Sequence, residues 1–294
     1  MKKFIMLLSV FVLGVTTLTG CGSEDKSIVV GAKDFTEQDV LGNILTKLIE
    51  ENTDIEVEYK NEMSSNVVFE AMKSGDIDVY VDYTGTIYGS YLENSESKTS
   101  EEIYEIVVSE LDEKYDLSVL EPLGFNNTYT LSVRENTAAE YGLTTISDLA
   151  KVSDQLVLGA SFEVLNRNDG IPNLKETYQM EFSSEEAIDG TLRYTALESD
   201  EVQVIDAFST DALLLEYNLV VLEDDLSYFP PYYAVPVINA ETAKEYPELL
   251  TELDKLTGIL DDDTMRNLNY QVDVLERKPD EVAEEFLQEN GLIE

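Results

Sequence analysis

The amino-acid sequence predicts an α/β protein that is built from two similar lobes. Two observations lead to this prediction. Short apolar runs alternate with segments of helical periodicity from residue 28 onward, and one helix–turn–strand pattern occurs twice in the chain. Alternation of strands with helices is typical of sheets whose strands are largely parallel. A repeated unit of this size indicates two lobes with related folds.

The first lobe is predicted to begin with a strand followed by a long helix. Ile28–Val30 is the strand, and Thr36 is the expected N-cap of the helix, with Asp39 in the capping-box position. Six apolar side chains recur at helical spacing after this cap, so one face of the helix is expected to be buried. These six residues are Val40, Leu41, Ile44, Leu45, Leu48 and Ile49.

Strand and helix patterns continue along the first lobe and then recur. A strand is predicted at 55–59, a helix at 67–73 that ends near Gly75, and a strand at 77–81. Residues 64–86 align without gaps with residues 189–211.

The repeat places aromatic residues at equivalent positions. At its offset of 125 residues, Val67 falls opposite Leu192 and Tyr83 opposite Phe208. Ligands bind at the carboxyl ends of strands in α/β sheets, so Tyr83 and Phe208 are predicted to face one cleft. The alternative is a chance similarity between two α/β segments.

The last segment of the chain has no counterpart in the second repeat. Residues 234–238 form a predicted strand, and Pro247 and Pro279 suit the first turns of two acidic helices. We expect this segment to pack on the first lobe. The predicted organisation is a signal peptide at 1–20, a tether at 21–27, a first lobe at 28–127 and 233–294, and a second lobe at 128–232.

The N-terminal residues have the pattern of an export signal. Lys2 and Lys3 precede an apolar run at 4–15, which is short for a membrane span and typical of a signal peptide. The run is followed by Leu18-Thr19-Gly20-Cys21, which resembles the lipobox of bacterial lipoproteins, so Cys21 is the predicted lipidation site. A diacyl anchor would attach the protein stably to the membrane. The alternative is a signal peptide without lipidation.

Composition excludes several classes of function. The chain has 294 residues, 19 Lys and Arg against 61 Asp and Glu, no His and a single Cys. Without His there is no Ser-His-Asp or Cys-His catalysis, and one Cys rules out an internal disulfide framework. A net charge of −42 disfavours nucleic-acid binding. The acidic runs at 101–105, 223–225 and 261–263 are predicted to be solvated faces, and neither a metal nor a cofactor is predicted.

Six short motifs occur in this order along the chain after the export signal. They are Gly31-Ala-Lys-Asp-Phe-Thr-Glu-Gln38, Asp82-Tyr-Thr-Gly-Thr86, Gly124-Phe-Asn-Asn-Thr-Tyr129, Leu165-Asn-Arg-Asn-Asp-Gly170, Asp206-Ala-Phe-Ser-Thr-Asp211 and Phe229-Pro-Pro-Tyr232. Together they resemble the substrate-binding lipoproteins of glycine betaine/carnitine/choline ABC transporters. Any one motif alone is weak evidence, whereas the six in order are specific.

The resemblance implies a fold, a ligand and partners. The fold is a two-lobed clamshell of the type II periplasmic-binding-protein class, and the ligand is a quaternary ammonium compound such as glycine betaine or carnitine. The partners are a permease and an ATPase, and the protein is expected to be a lipid-anchored, extracytoplasmic monomer. On matching positions, the aromatic cage is Tyr83, Tyr129, Phe208 and Tyr232, and the residues for a ligand carboxylate are Lys33, Thr86 and Arg167. Many relatives have Tyr at the position of Phe208.

The residue types suit this ligand on physical grounds. A quaternary ammonium donates no hydrogen bond, so aromatic ring faces offset its desolvation best. Arg and Lys suit a carboxylate. A ligand held by Lys33 of one lobe and Arg167 of the other would favour closure. Three alternatives stay open: choline or ergothioneine as the main ligand, an extracellular hydrolase that uses paired carboxylates, and an adhesion lipoprotein.

Overall fold

The computed structural model describes residues 26–96, 98–166, 170–188 and 190–294. The predicted signal peptide, Cys21 with nearly all of the tether, and Arg167 lie outside the described residues. No helix within the described ranges has both the length and the apolar character needed to cross a bilayer.

Ten strands in the described residues form two five-stranded sheets. The strands are β1 Ser27–Lys33, β2 Glu56–Met63, β3 Val79–Tyr83, β4 Leu117–Val119, β5 Tyr129–Arg134, β6 Val157–Ala160, β7 Ser184–Ala187, β8 Val204–Phe208, β9 Leu219–Val221 and β10 Ala234–Asn239. The first sheet has the order β2-β1-β3-β10-β4 and the second has the order β7-β6-β8-β5-β9. We call each sheet with its helices a lobe.

Helices surround both sheets. The helices of the first lobe that precede the second sheet are α1 Thr36–Asn52, α2 Ser65–Ser74, α3 Thr84–Thr86 and α4 Ser100–Tyr115, with a π-helical turn at Ile87–Tyr91. Those of the second lobe are α5 Glu135–Tyr141, α6 Ile146–Ala150, α7 Phe162–Asn166, α8 Ile171–Tyr178, α9 Leu192–Glu198 and α10 Leu213–Glu216, with a 3-10 turn at Ser153–Gln155. The C-terminal helices are α11 Ala240–Glu245, α12 Pro247–Asp254, α13 Asp262–Asp273 and α14 Pro279–Glu289.

The strand orders confirm the internal repeat. β3 and β8 are the central strands of their sheets, and each is preceded by the helix of its repeat, α2 or α9. β1 and β6 occupy equivalent places, as do β2 and β7. Two copies of one topology therefore bring the carboxyl ends of β3 and β8 to equivalent edges.

The prediction of largely parallel sheets is wrong in half of each sheet. β1 pairs in parallel with β2 and β3, whereas β10 runs antiparallel to both β3 and β4. The second sheet repeats this mixture through β5. The reason is connectivity: β10 enters the first sheet from the second lobe, and its first residue, Ala234, pairs with Tyr83 at the far end of β3.

The buried face of α1 is as predicted, but its N-cap is not. All six apolar residues of the predicted face are at most 1% exposed, and full burial of each side chain contributes about 1.5–3 kcal/mol. The N-cap is Phe35, without a side-chain cap, and Thr36 is the first helical residue. The Thr36 hydroxyl instead donates a hydrogen bond of 2.6 Å to Asp273 of α13. At the end of α2, Gly75 has φ 78°, in agreement with the predicted end.

The C-terminal segment packs on the first lobe. β10 lies inside the first sheet, and α12, α13 and α14 contact α1. Leu249, Leu253 and Leu287 are at most 1% exposed within the same apolar core as α1. The core of the first lobe is therefore completed by residues that follow the second lobe in the chain.

Two extended segments, 126–128 and 229–233, connect the lobes. They are bonded to each other, because Asn126 and Tyr233 form an antiparallel bridge and Asn127 N donates to Tyr232 O at 3.1 Å. Asn126 Oδ1 also accepts a hydrogen bond of 2.6 Å from Tyr232 N. We call this pair the crossing ribbon.

Candidate functional site

A cavity of about 540 Å³ lies between the lobes, at the carboxyl ends of β3 and β8. Tyr83 and Phe208, the last residues of these strands, line it. Asn127 and Tyr232 of the crossing ribbon and Asn269 of α13 complete this part of the wall. The cavity is where the strand-end argument expects a ligand.

The structure brings the four predicted cage residues together on the wall of this cavity. Tyr129 is the first residue of β5 and pairs with Phe208 of β8, and their ring centroids are 4.6 Å apart. Tyr83 is 5% exposed, whereas Phe208 is 37% exposed. Tyr83 and Tyr232 face the cavity from the first lobe and the ribbon, so its ring faces come from both sides.

A fifth ring, Phe35, was missed in the sequence prediction. It lines the cavity, is 44% exposed and stacks on Tyr83 at 6.4 Å between centroids with an interplanar angle of 25°. Its position two residues after β1 is the signal that could have identified it, since this is again a strand end. Exposure of a large ring at such an edge is typical of a binding surface.

Hydrogen bonds fix the orientation of the Tyr83 ring. Its hydroxyl donates to Glu37 Oε1 at 2.6 Å and accepts from Gln38 Nε2 at 3.1 Å. Burial and the nearby charge of Glu37 raise the pKa of Tyr83 well above its ordinary value. The hydroxyl therefore stays a neutral donor, and the ring is preorganised before a ligand arrives.

Glu37 is the centre of a buried cluster on the cavity wall. Its side chain is 3% exposed and accepts hydrogen bonds from Tyr83, from Asn127 Nδ2 at 2.9 Å and from Asn269 Nδ2 at 3.1 Å. Burial raises the pKa of Glu37, and these donors oppose the effect. No local sequence pattern identifies the cluster, because its members are far apart in the chain.

Lys33 is buried in an ion pair beside the cage residue Tyr83. Its side chain is 3% exposed and forms an ion pair with Asp82, which is fully buried. Its Nζ lies 5.2 Å from the centroid of the Tyr83 ring, and Lys33 is not among the residues that line the cavity. The ammonium is thus paired with Asp82 and supports Tyr83 from the core, and its predicted role toward a ligand carboxylate stays a prediction.

The other two predicted carboxylate residues have different outcomes. Thr86, in the short helix α3, is half-buried and lines the cavity beside Tyr83. Arg167 lies outside the described residues, so its role stays a prediction.

The electrostatic character of the cavity suits a cation. Glu37, Asp211 and Asp273 all line it, and no Lys or Arg among the described residues does. Asp211 accepts hydrogen bonds from Tyr194 at 2.6 Å and from Phe208 N at 3.0 Å. No group of three or more His, Cys, Asp or Glu residues in the described ranges has the arrangement of a metal site.

Helix α13 holds the end of β8 in place across the two lobes. Arg266 donates two hydrogen bonds to Ser209 O, from Nε at 3.0 Å and from Nη2 at 2.7 Å. Asn269 Nδ2 donates to Thr210 O at 3.0 Å. Ser209 Oγ in turn donates to Asn126 O of the crossing ribbon at 2.6 Å. The residues that follow Phe208 are therefore fixed to both the first lobe and the ribbon.

Solved structures and characterised sequences with this architecture are known. A crystal structure of a glycine betaine/carnitine/choline ABC transporter protein superposes with a TM-score of 0.86 at 32% identity and covers 91% of this chain and all of that one. The carnitine transport binding protein OpuCC of Listeria monocytogenes is 36% identical over the whole chain and 98% of its own length.

A second relative is longer than this chain. The ergothioneine transport permease/ergothioneine binding protein EgtU of Helicobacter pylori is 38% identical over 92% of this chain, which spans about half the length of that protein. The family model for the substrate-binding domain of ABC-type glycine betaine transport systems matches residues 26–289. The chain therefore belongs to this family of substrate-binding domains, whose members serve transport and are not enzymes.

Proposed function

We propose that the protein captures a quaternary ammonium compound between its lobes and delivers it to an ABC permease. The ligand class is betaines, with glycine betaine and carnitine as the first candidates and with choline or ergothioneine as the alternative main ligand. The related proteins of Listeria and Helicobacter are named for carnitine and ergothioneine, both of which carry a trimethylammonium group.

The observation that carries this proposal is the pairing of aromatic rings with acidic side chains around one cavity. Five rings line it together with three carboxylates. Ring faces attract a cation that has no hydrogen-bond donor, by about 0.5–2 kcal/mol for each contact. The carboxylates add a negative potential that favours a cation further. The negative potential disfavours an anion.

The carboxylate end of a betaine needs different partners. Thr86 lines the cavity and supplies a hydroxyl donor, and we assign the charged partner to Arg167, as predicted from the sequence. Because Arg167 belongs to the second lobe by its position in the chain, a ligand held by both lobes would stabilise the closed form. In this proposal, residues 28–127 with 233–294 close on residues 128–232.

The setting is outside the cytoplasm. A substrate-binding protein of an ABC importer works on the extracytoplasmic side, where it meets the permease that partners with a cytoplasmic ATPase. We propose that the chain is attached there through lipid on Cys21 after removal of residues 1–20, and that it acts as a monomer.

Isothermal titration calorimetry with glycine betaine, carnitine, choline and ergothioneine tests the proposal. At least one of these ligands should bind, and Phe208→Ala should weaken that binding by about 1–3 kcal/mol, because one ring face and part of the cavity shape are lost. Phe208 is 37% exposed, so the variant should fold normally.

Phe162→Ala is the matched control. Phe162 is a 63% exposed phenylalanine of the same lobe that is not among the residues lining the cavity. Its replacement should leave affinity unchanged. Absence of binding by all four ligands, or an equal loss in both variants, would reject the proposed function.

A further inference from the structure

The buried cluster around Glu37 dictates how two asparagine side chains are turned. An ionised carboxylate only accepts hydrogen bonds, so each neighbouring amide must present its NH₂ group to it. Asn127 does so at Oε1 and Asn269 at Oε2. For Asn269 the orientation is fixed twice, because the same nitrogen also donates to Thr210 O. Neither amide can rotate by 180° without losing these bonds.

This orientation leaves two acceptor atoms without partners. Asn127 Oδ1 and Asn269 Oδ1 are buried atoms that accept no hydrogen bond from any described residue. Both asparagines line the cavity, and Asn269 is only 5% exposed. A buried carbonyl oxygen without a donor costs about 1–3 kcal/mol. Two such oxygens lie in one small cluster at a binding cavity. Hydrogen-bond donor groups of a bound ligand would satisfy them.

We propose that Asn127 and Asn269 accept a hydrogen bond from the bound ligand, and that the cavity therefore selects quaternary ammonium compounds that carry an O–H or N–H donor. This inference rests on the proposed function and refines it. Glycine betaine has no such donor, whereas the hydroxyl of carnitine or choline and the ring N–H of ergothioneine are donors of this kind. A site built to accept a hydrogen bond discriminates strongly against an analogue that cannot supply it.

The geometry gives each part of the cluster a separate task. The rings bind the methylated nitrogen, and Glu37 turns the amides and contributes negative charge. The amide oxygens receive the donor. Asn127 belongs to the crossing ribbon and Asn269, 142 residues later, belongs to α13. A ligand that bonds to both therefore connects the crossing ribbon to the C-terminal segment.

Two pairs of ligands that differ in a single donor test the inference. The pairs are carnitine with γ-butyrobetaine, which lacks the hydroxyl, and choline with its methyl ether, in which the hydroxyl is blocked. Titration calorimetry should give at least about tenfold tighter binding for the donor-bearing member of a pair that binds. Equal affinities within each pair would overturn the inference and leave the proposed function standing. If none of the four compounds binds but glycine betaine does, the inference is overturned and the proposed function stands. If glycine betaine and ergothioneine also fail to bind, both are overturned.

Alanine variants of the two asparagines test whether these residues cause the preference for a donor-bearing ligand. Asn269→Ala and Asn127→Ala should each reduce the preference for the donor-bearing ligand several-fold, and the ratio of affinities within a pair is a quantity that a general loss of folded protein does not move. Asn127 is only half-buried, so its replacement should disturb folding less than that of Asn269. Asn127→Ala therefore tests the inference if Asn269→Ala does not fold. Asn267→Ala is the control on the same helix, because Asn267 is exposed and accepts from Gln271. An unchanged ratio in Asn127→Ala and Asn269→Ala would contradict the assignment.

Discussion

Replacement of Lys33 by methionine separates the structural role of this residue from the ligand-binding role that its motif implies. In the native protein, the fully buried carboxylate of Asp82 accepts hydrogen bonds from Lys33 Nζ, from Tyr80 at 2.5 Å and from Tyr83 N at 2.7 Å. Methionine keeps most of the side-chain volume and removes the charge. The carboxylate then retains two neutral donors and no counter-charge.

The expected cost follows from the burial of the pair. Removal of one partner of a buried ion pair destabilises a protein by about 3–5 kcal/mol, because the remaining charge is uncompensated. For a chain of this size that corresponds to a fall in melting temperature of about 6–20 °C. The matched control is Lys47→Met, since the Lys47–Glu284 pair is partly exposed, with an Nζ–Oε2 distance of 2.8 Å. Loss of such a pair costs about 0–1 kcal/mol.

The assay combines urea unfolding with titration of glycine betaine and choline. Lys33→Met should lower the free energy of unfolding and weaken both ligands by the same factor, because Lys33 acts on the site only through Tyr83. Adding Asp82→Asn to Lys33→Met should recover part of the stability, since no buried charge is then left. This reasoning would be refuted if the free energy of unfolding stayed normal while the affinity for glycine betaine, but not for choline, fell. Lys33 would then be a residue that binds the ligand carboxylate.

Two further variants test other parts of the site. Burial raises the pKa of Glu37 above its ordinary value of 4.5, so its contribution to stability is complete below that value and is lost as pH rises through the raised pKa. Wild type should therefore lose stability relative to Glu37→Gln in urea unfolding as the pH rises above 4.5, and a constant difference would contradict this. Arg266→Ala removes both bonds to Ser209 O, and it should lower the free energy of unfolding by about 1–3 kcal/mol and weaken ligand binding. Asp263→Ala, which removes only the 87% exposed partner of Arg266, should leave affinity unchanged.

Local patterns in the sequence were sufficient for the buried face of α1, for the end of α2 and for the repeat. The buried face of α1 follows from apolar spacing alone, and the end of α2 follows from Gly75, whose positive φ a side chain would oppose. The offset of 125 residues correctly related Tyr83 to Phe208, because both end the central strand of a sheet. These features depend on neighbours in the chain, which the sequence displays directly.

Features that depend on distant partners were not predictable in the same way. Nothing near Lys33 shows that Asp82, 49 residues later, neutralises it in the core. The hydroxyl of Thr36 bonds to Asp273, which lies 237 residues away, and therefore does not cap α1. The amides that surround Glu37 come from the crossing ribbon and from α13. The contacts made by Asp273 and Asn269 exist only because the chain returns to the first lobe after building the second.

The crossing ribbon limits the motions that are open to the lobes. Its two segments are joined by the Asn126–Tyr233 bridge and by the bonds between Asn126 or Asn127 and Tyr232. Bonded neighbours cannot slide past each other without breaking these bonds, so one lobe moves against the other by a twist of the ribbon as a unit. Tyr232 stands on that ribbon and faces the cavity. The direction of the Tyr232 ring therefore changes with the angle between the lobes. A ligand held against this ring stabilises the interlobe angle at which ring and ligand are in contact.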